Sequence, residues 1–326
     1  MNSHSSPWVV VLAAGSGNRL SSLTVDAAGA AVPKQFCSLN GGSTLIEDTI
    51  ARARRLTDRA RIAAIVARQH RQWWQPLLDE LYDGNVIEQP HNRGTAIGVM
   101  LTVLHLHRRD SQAPIVFLPS DHYIGDETAV SACLARVLRH LAAEPTALVM
   151  LGITPDEADP ELGYIVPSRQ VADQVYAVRE FVEKPAKLEA ERLLDDGAVW
   201  NSFIFAARAQ SLIDIFENSH GKVLQRLRAA LASDAWRTRD AGALAQVYED
   251  LGELDFSRHV LAGNEAALRI LPAPRCGWTD LGTPARVDKC VRTLPARSVV
   301  RRAQPAVRET PRLNLANACS RLRLAV

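Results

Sequence analysis

The first residues that could do chemistry form a small-residue turn followed by two cations. The turn ends an apolar run, and its candidate members are Leu12, Ala13, Ala14, Gly15 and Gly17. Small residues let backbone N–H groups approach a phosphate or a base closely. Arg19 follows the turn, and Lys34 comes later within Pro-Lys-Gln-Phe. This combination predicts a triphosphate cradle, although a strand-to-helix turn with two surface cations explains it equally well.

Two familiar nucleotide motifs are excluded at this turn. A dinucleotide fingerprint would need its third glycine where the chain has Leu20, and no Gly-Lys-Ser/Thr sequence completes a P-loop. A nicotinamide dehydrogenase is therefore disfavoured.

Two aspartates lie far apart in the chain, and the first of them follows an apolar strand. Asp121 belongs to Pro-Ser-Asp-His and Asp280 to Gly-Trp-Thr-Asp. Carboxylates together with substrate phosphates hold Mg²⁺, and two carboxylates on one divalent ion suit phosphoryl or nucleotidyl chemistry. A capped turn explains either aspartate alone, and His122 is more simply a structural histidine.

A third group of polar residues could recognise a phosphorylated sugar. Glu183 could accept hydrogen bonds from hydroxyl groups and Lys184 could meet a phosphate, while a solvated strand end explains the pair equally well. The minor candidates are Gln89, Arg93, Gly94 and Thr95, in a loop that opens a helix, and Asn201 at the start of a strand.

The elements that must position these residues alternate in type. Strands are predicted at 8–14, 62–67, 86–88, 114–118 and 146–152, with helices at 44–56, 69–82, 94–107 and 127–143. This rhythm predicts an α/β fold with a mostly parallel, Rossmann-like sheet flanked by helices. Such sheets bind ligands beyond the carboxyl ends of their strands.

The second half of the chain has a different pattern. Antiparallel or mixed strands are predicted at 163–167, 175–183 and 200–206, and a further strand at 267–271. Helices are predicted at 187–195, 210–219, 223–232 and 241–251. The tail at 295–326 is rich in arginine, has Glu309 as its sole acidic residue, and is interpreted as a solvated basic tail.

Composition excludes several classes of protein. Of the 326 residues, 47% are hydrophobic and 23% charged, which is typical of a globular protein. A net charge of +2 gives no cationic field for nucleic acid or an anionic membrane. No apolar run approaches the ~20 residues of a membrane span, and five scattered cysteines form no CxxC pair. We therefore expect a cytoplasmic protein without nucleic-acid or membrane partners.

The motifs taken together, in this order, carry a resemblance. They are LAAGSGNRL, PKQF, QPHNRGTA, PSDH, GYIVP, FVEKP, WNS and WTDLGTP, between about residues 8 and 290. They resemble the sugar-1-phosphate nucleotidyltransferase family, and within it the mannose-1-phosphate guanylyltransferases. PKQF, RGTA and the aspartate-histidine pair favour this branch over the thymidylyl and adenylyl branches.

The resemblance implies a reaction and a fold, the nucleotide-diphospho-sugar transferase fold with a mixed sugar-binding subdomain. A sugar 1-phosphate would attack the α-phosphorus of a nucleoside triphosphate, giving a nucleotide-sugar and pyrophosphate. Mannose 1-phosphate and GTP are the expected substrates, and Mg²⁺ the cofactor. One domain would cover 1–294, with a nucleotide-binding half at about 8–155, a sugar-phosphate-binding half at 156–294, and the tail at 295–326 unexplained.

The resemblance also implies a role for each matching residue. Arg19, Lys34 and Asp121 would be catalytic, and Asp121 and Asp280 would hold the metal. The nucleotide would contact Leu12, Ala13, Ala14, Gly15, Gly17, Gln89, Arg93, Gly94 and Thr95. The sugar phosphate would contact Gly163, Glu183, Lys184 and Asn201.

Several positions depart from the family pattern and leave the base and the sugar open. Ala14 replaces a glycine, Asn18 a threonine, and Ser21-Ser22 a Trp-Pro pair, while Phe203 stands where the family has a glycine after WNS. The alternatives are a thymidylyl-, uridylyl- or adenylyltransferase, or a catalytically silent nucleotide-sugar-binding regulator. No isomerase domain follows, so transferase activity alone is expected. Homo-oligomer formation stays open.

Overall fold

The computed structural model describes residues 6–17, 20–21, 23–26, 29–82, 84–232 and 242–294. In this part of the chain nine strands form a single sheet in the order β3-β2-β1-β4-β8-β5-β9-β7-β6, with β8 also pairing with β6. The strands are β1 (Trp8–Ala13), β2 (Ile62–Ala67), β3 (Val86–Gln89), β4 (Pro114–Pro119), β5 (Leu148–Ile153), β6 (Gly163–Ala172), β7 (Val175–Glu183), β8 (Val199–Arg208) and β9 (Leu268–Ala273).

Helices cover both faces of the sheet. They are α1 (Leu45–Ala53), α2 (Arg71–Leu78), α3 (Thr95–His107), α4 (Glu127–Ala143), α5 (Lys187–Asp195), α6 (Ala209–Ala232), α7 (Gly242–Glu249) and α8 (Pro284–Thr293). The α/β fold predicted from the sequence is confirmed.

The first four strands are parallel, as the alternating pattern predicts. β1 lies between β2 and β4, and β3 extends the sheet beyond β2. β1 and β2 are apolar and buried along nearly their whole length because helices cover both of their faces. The carboxyl ends of these strands therefore lie along one edge, where the glycine turn and Asp121 follow β1 and β4.

The second half makes the sheet mixed. β8 runs antiparallel between β4 and β5, so a strand from late in the chain joins two strands of the first half. β9 is parallel to β5, and β6 and β7 form an antiparallel hairpin. Because β7 pairs along it, β6 extends to Ala172, well beyond the predicted strand at 163–167.

The helices differ from the predicted ones mainly at their ends. α2 begins only at Arg71, since Arg68–His70 forms a 3₁₀ turn. α6 joins the two helices predicted at 210–219 and 223–232, and His220 (φ −141°) marks the kink between them. Thr44 is the N-cap of α1 and forms the reciprocal hydrogen bonds of a capping box with Glu47, which fixes the helix start at Leu45.

The hydrophobic core has two layers, one on each face of the sheet. Alternate residues of β1 show the division, since Val9 and Val11 pack into one layer and Val10 into the other. α3 is apolar around nearly its whole circumference because it is buried between the sheet and α6. None of the helices in the described part is both long and apolar enough to cross a bilayer.

A buried ion pair connects the helices of one layer. Arg52 in α1 is 2% exposed, and its guanidinium donates to both carboxylate oxygens of Glu127 in α4, at 2.9 and 2.7 Å. The bidentate geometry pairs the buried guanidinium with a carboxylate whose side chain is 23% exposed.

We expect Arg52→Met to lower the free energy of unfolding by about 2 kcal/mol, because it removes two charge-assisted hydrogen bonds to Glu127, whose carboxylate keeps the more distant Arg55 as a partner. The measurement is guanidinium chloride unfolding followed by circular dichroism. Arg54→Met is the matched control: its pair with Glu80 is exposed on both sides, so the change should cost less than about 1 kcal/mol. Equal losses in the two variants would contradict this account.

Candidate active site

A cavity of about 290 Å³ opens at the carboxyl ends of the parallel strands. It lies where an α/β sheet is expected to bind ligands. The predicted residues that line it are Leu12, Ala14, Gly15, Gln89, Gly94, Thr95, Asp121, Gly163, Glu183, Lys184, Asn201 and Asp280. Ala13, Gly17, Lys34 and Arg93 lie outside the lining, and Arg19 falls outside the described residues.

Lys34 lies beneath the cavity and connects the two aspartate segments. Its ammonium donates to the backbone oxygens of Asp280 (2.6 Å) and Leu281 (3.3 Å). It also forms an ion pair with the Asp121 carboxylate, with Nζ 3.1 Å from Oδ2. Because Lys34 is only 5% exposed, these contacts hold its charge in place under the aspartates.

Asp121 follows β4 and faces the cavity, with 38% of its side chain exposed. Burial favours its neutral form, but the nearby Lys34 and His122 outweigh this and hold the pKa of Asp121 below its usual value. The carboxylate is therefore charged at neutral pH and available to a cation in the cavity.

Asp280 is held by contacts to one of its oxygens. Arg286 in α8 (2.6 Å) and the Gly282 N–H (3.0 Å) both donate to Oδ1. Within the described part of the chain Oδ2 accepts no hydrogen bond. Although burial opposes ionisation, His122 and Arg286 keep the pKa of Asp280 below its usual value.

Backbone hydrogen bonds join the two aspartate segments directly. Tyr123 and Thr279 exchange N–H···O bonds of 2.9 and 3.0 Å, and the Cys276 carbonyl accepts from Gly125 and Asp126. Residues 121 and 280, far apart in sequence, are thereby held at one end of the cavity.

His122 lies between the aspartates without a close hydrogen bond. Its Nε2 is 3.6 Å from Asp121 Oδ1, and its buried Nδ1 has no partner among the described residues. The ring meets Trp278 edge to face, with centroids 5.3 Å apart. Burial lowers the pKa of His122, and the two carboxylates oppose this only in part. The hydrogen-bonded structural role considered from the sequence is thus not seen.

The turn after β1 is shaped by a residue that the sequence analysis did not single out. Gln35 Nε2 donates to the carbonyls of Ala13 (3.1 Å) and Gly15 (2.8 Å). The turn leaves Ala14 and Gly15 facing the cavity, while Gly17 packs against the backbone of Lys34. The Pro-Lys-Gln-Phe motif therefore supports both the turn and the aspartates.

The loop before α3 is tied to the segment that follows α7. Arg93 donates to the Tyr248 carbonyl (2.9 Å), so its guanidinium faces α7 instead of the cavity. Gly94 has φ +86°, and a Cβ there would lie 2.3 Å from the Leu254 oxygen, so no other residue fits. Gln89 lines the cavity and accepts a hydrogen bond from the Tyr248 hydroxyl at 3.1 Å.

The opposite end of the cavity is formed by β6, β7 and β8. Gly163 pairs with Glu183 across the hairpin, and a Cβ on Gly163 would lie 2.5 Å from Glu183 Oε2. Lys184 has φ +52° and donates its N–H to the Leu162 carbonyl. Asn201 accepts from the Phe203 N–H (2.9 Å) and donates to Ser257 (3.4 Å).

Besides Gln35 and Glu161, sequence reasoning missed two polar residues of the lining, Asp255 and Ser257. They are held in place because the Leu254 carbonyl accepts from Ala96 (2.9 Å) and the Phe256 N–H donates to Thr95 (2.8 Å). Their local sequence carries no signal beyond a polar start to a helical turn, so only the tertiary contacts reveal them.

Asp255 affects the ionisation of Glu183 at this end of the cavity. Burial, and after it the negative charge of Asp255, raise the pKa of Glu183, while Lys184, Arg258 and Ser257 act against the shift. Two carboxyl groups that influence each other can bind a ligand rich in hydroxyl groups, since each oxygen accepts a hydrogen bond.

Comparison with known proteins identifies the family. The profile described as nucleotidyl transferase matches residues 8–291. The chain belongs to the nucleotidyl transferase family. The resemblance inferred from the sequence motifs is confirmed.

Its curated relatives are longer proteins. AlgA, the alginate biosynthesis protein of Pseudomonas aeruginosa, is 28% identical over 284 residues, which cover 84% of this chain and 56% of that protein. The mannose-1-phosphate guanylyltransferase of Escherichia coli K12 is 30% identical over 240 residues, covering 69% of this chain and 48% of that protein. The chain spans about half the length of these relatives.

Solved structures agree on the fold. A structure described as mannose-1-phosphate geranyltransferase from Thermus thermophilus has a TM-score of 0.73 at 28% identity, covering 89% of this chain and 80% of that one. A UDP-glucose pyrophosphorylase bound to UDP-glucose has a TM-score of 0.55 at 12% identity, over 88% and 97% of the two chains, and shares the fold alone.

We expect Asp255→Asn to lower the pKa of Glu183, because it removes the neighbouring negative charge. A carboxyl whose pKa is raised by folding adds stability at low pH, and this stability is lost as the pH rises through the folded-state pKa. Between the unfolded-state and folded-state pKa values of Glu183, the free energy of unfolding should therefore fall more with rising pH in the wild type than in the variant. Denaturant unfolding at a series of pH values measures the difference.

Asp250→Asn is the matched control, since Asp250 is exposed and pairs with Arg226 outside the cavity. Its pH profile should parallel that of the wild type. Parallel profiles for the wild type and Asp255→Asn would show that Asp255 does not act on Glu183.

Proposed function

We propose that the protein transfers a nucleotidyl group from a nucleoside triphosphate to a sugar 1-phosphate and releases pyrophosphate. GTP and mannose 1-phosphate are the proposed substrates. The observation that carries the proposal is that the Asp121 carboxylate and the Asp280 backbone oxygen both contact the buried Lys34. Both aspartates line the same cavity as Glu183 and Lys184.

The chemistry suits a site that has charged groups but no strong base. The attacking group is already an anionic phosphate oxygen, so it need not lose a proton. The main obstacle is to bring two polyanions together in line, and positioning and charge neutralisation lower that barrier. Lys34 supplies a fixed positive charge beneath the phosphates, and Arg19, which lies outside the described residues, would supply another.

The donor set fits a magnesium ion. Asp280 Oδ2 is free of hydrogen bonds among the described residues, and Asp121 is charged and exposed to the cavity. The described residues contain no group of three acidic, histidine or cysteine ligands, and Mg²⁺ commonly binds through one or two carboxylates plus substrate phosphates. Asp121 and Asp280 would hold the ion, which when bound would neutralise phosphate charge and polarise the α-phosphate.

The other end of the cavity suits a phosphorylated sugar. Glu183 and Asp255 offer carboxyl oxygens to hydroxyl groups, and Ser257 offers a hydroxyl. Lys184 lines the same end and would meet the phosphate. The name of the Escherichia coli relative supports mannose 1-phosphate and a guanylyl group, while Gln89 and the loop at Gly94 would contact the base.

A substrate panel tests this assignment. Each of four nucleoside triphosphates is combined with mannose 1-phosphate, glucose 1-phosphate and N-acetylglucosamine 1-phosphate, and pyrophosphate release is measured with Mg²⁺ and with EDTA. We expect the highest kcat/KM for GTP with mannose 1-phosphate, and no turnover in EDTA. Another preferred pair would reassign the substrates within the family. Product binding without any pyrophosphate release would identify a silent regulator instead.

Removal of the charged groups should reduce turnover while the fold persists. Asp121→Asn and Lys34→Ala should each lower kcat by about 10²–10³, by analogy with the loss of one preorganised electrostatic contact. Lys289→Ala and Asp156→Asn are matched controls, because this exposed ion pair lies away from the cavity lining. Circular dichroism and thermal melting check folding, and near wild-type rates in both test variants would defeat the assignment.

A further inference from the structure

β8 carries a bulge beside the cavity. Met150 of β5 pairs with Phe205 of β8, and Gly152 pairs with Asn201. Between these two pairs β5 therefore has one residue and β8 has three. The extra residues surround Phe203, whose φ of +57° is in the left-handed region that bulky residues rarely adopt. Bulges next to binding sites redirect side chains, and here Phe203 lines the cavity.

Local hydrogen bonds hold this conformation. The Phe203 N–H donates to Asn201 Oδ1 at 2.9 Å. Ser202 Oγ donates to the Leu151 carbonyl (2.5 Å) and accepts from the Ile204 N–H (3.1 Å). The backbone on both sides of Phe203 is therefore fixed, which is the condition under which a strained conformation persists.

The ring of Phe203 is also fixed. It meets Phe205 and Phe256 edge to face, each with ring centroids 5.9 Å apart. Phe205 and Phe256 are fully buried and stack on each other at 5.0 Å. A ring that rests on buried, close-packed rings cannot move aside for a ligand without disturbing the core.

We infer that Phe203 is a specificity-determining residue whose ring limits which sugar 1-phosphates enter the cavity. The ring belongs to the sugar end, because Asn201 holds its backbone and also contacts Ser257. Compact hexose 1-phosphates fit beside it, and sugars enlarged by a substituent on the face toward the ring are excluded. This inference rests on the proposed function.

The test compares mannose 1-phosphate with four analogues that carry one O-methyl group at carbon 2, 3, 4 or 6. Phe203→Gly and Phe203→Ala both remove the ring, but only glycine relieves the left-handed backbone. Gln174→Gly is the matched control, since Gln174 also has a positive φ (+56°) but lies in the turn between β6 and β7. The measurement is kcat/KM from pyrophosphate release by the full chain, with melting curves as the check on folding.

We expect both ring-deleting variants to raise the kcat/KM of at least one analogue, relative to mannose 1-phosphate, by about 10- to 200-fold, the range for one methyl-sized group in an apolar pocket. Gln174→Gly should leave all ratios unchanged, and the preference for GTP over ATP should not move in any variant. The second variant keeps the test decisive if one fails to fold.

Two outcomes would overturn the role of Phe203 and leave the proposed function standing. One is an unchanged set of sugar ratios in a folded, active variant, and the other is a changed nucleotide preference without a changed sugar preference. If the wild type releases no pyrophosphate from mannose 1-phosphate or any analogue, the proposed function has failed, and this inference fails with it.

Discussion

The site depends on a single buried ammonium group. Lys34 contacts the Asp121 carboxylate and the backbone oxygens of residues 280 and 281, so one charge holds together two segments that are far apart in the chain. Lys34 is the nearby charge that most lowers the pKa of Asp121, and it adds to the effects of His122 and Arg286 on Asp280. The lysine thus favours the ionised form of both aspartates, together with His122 and Arg286, before any cation arrives, which reduces the reorganisation that binding requires.

Backbone strain in this protein is concentrated around the cavity. Of the four non-glycine residues with positive φ in the described ranges, Lys184 and Phe203 line the cavity and Leu281 follows Asp280. The fourth, Gln174, lies in a hairpin turn, where such a conformation is common. Residues in this region cost about 1–3 kcal/mol each and persist only when their surroundings fix them. The hydrogen bonds around Phe203 and Lys184 provide that restraint.

The sequence could predict most strands and helices of the first half of the chain because local patterns of apolar residues determine them. Apolar runs such as 62–67 and the helix at 127–143 matched their elements since burial alone determines them. Asp121 was found because it follows an apolar strand, and Asp280 because it offers a second carboxylate within the motif WTDLGTP. Asp255 and Ser257 could not be found, because Leu254 and Thr95 position them through tertiary hydrogen bonds. Likewise, nothing in the sequence shows that the Arg93 guanidinium faces α7.

The end of the cavity formed by β6, β7 and β8, where we propose that the sugar phosphate binds, has fewer free hydrogen-bonding groups than its composition suggests. Asn201 already accepts from Phe203 and contacts Ser257, so its amide is largely satisfied by the protein. The carboxyl groups of Glu183 and Asp255 also have protein partners, since Ser257 hydrogen-bonds to Glu183 and the Arg258 N–H donates to Asp255. Carboxylates accept from hydroxyl groups in many sugars, so they discriminate weakly among them. At the proposed sugar site, selectivity would therefore come largely from shape, to which the packed ring of Phe203 contributes.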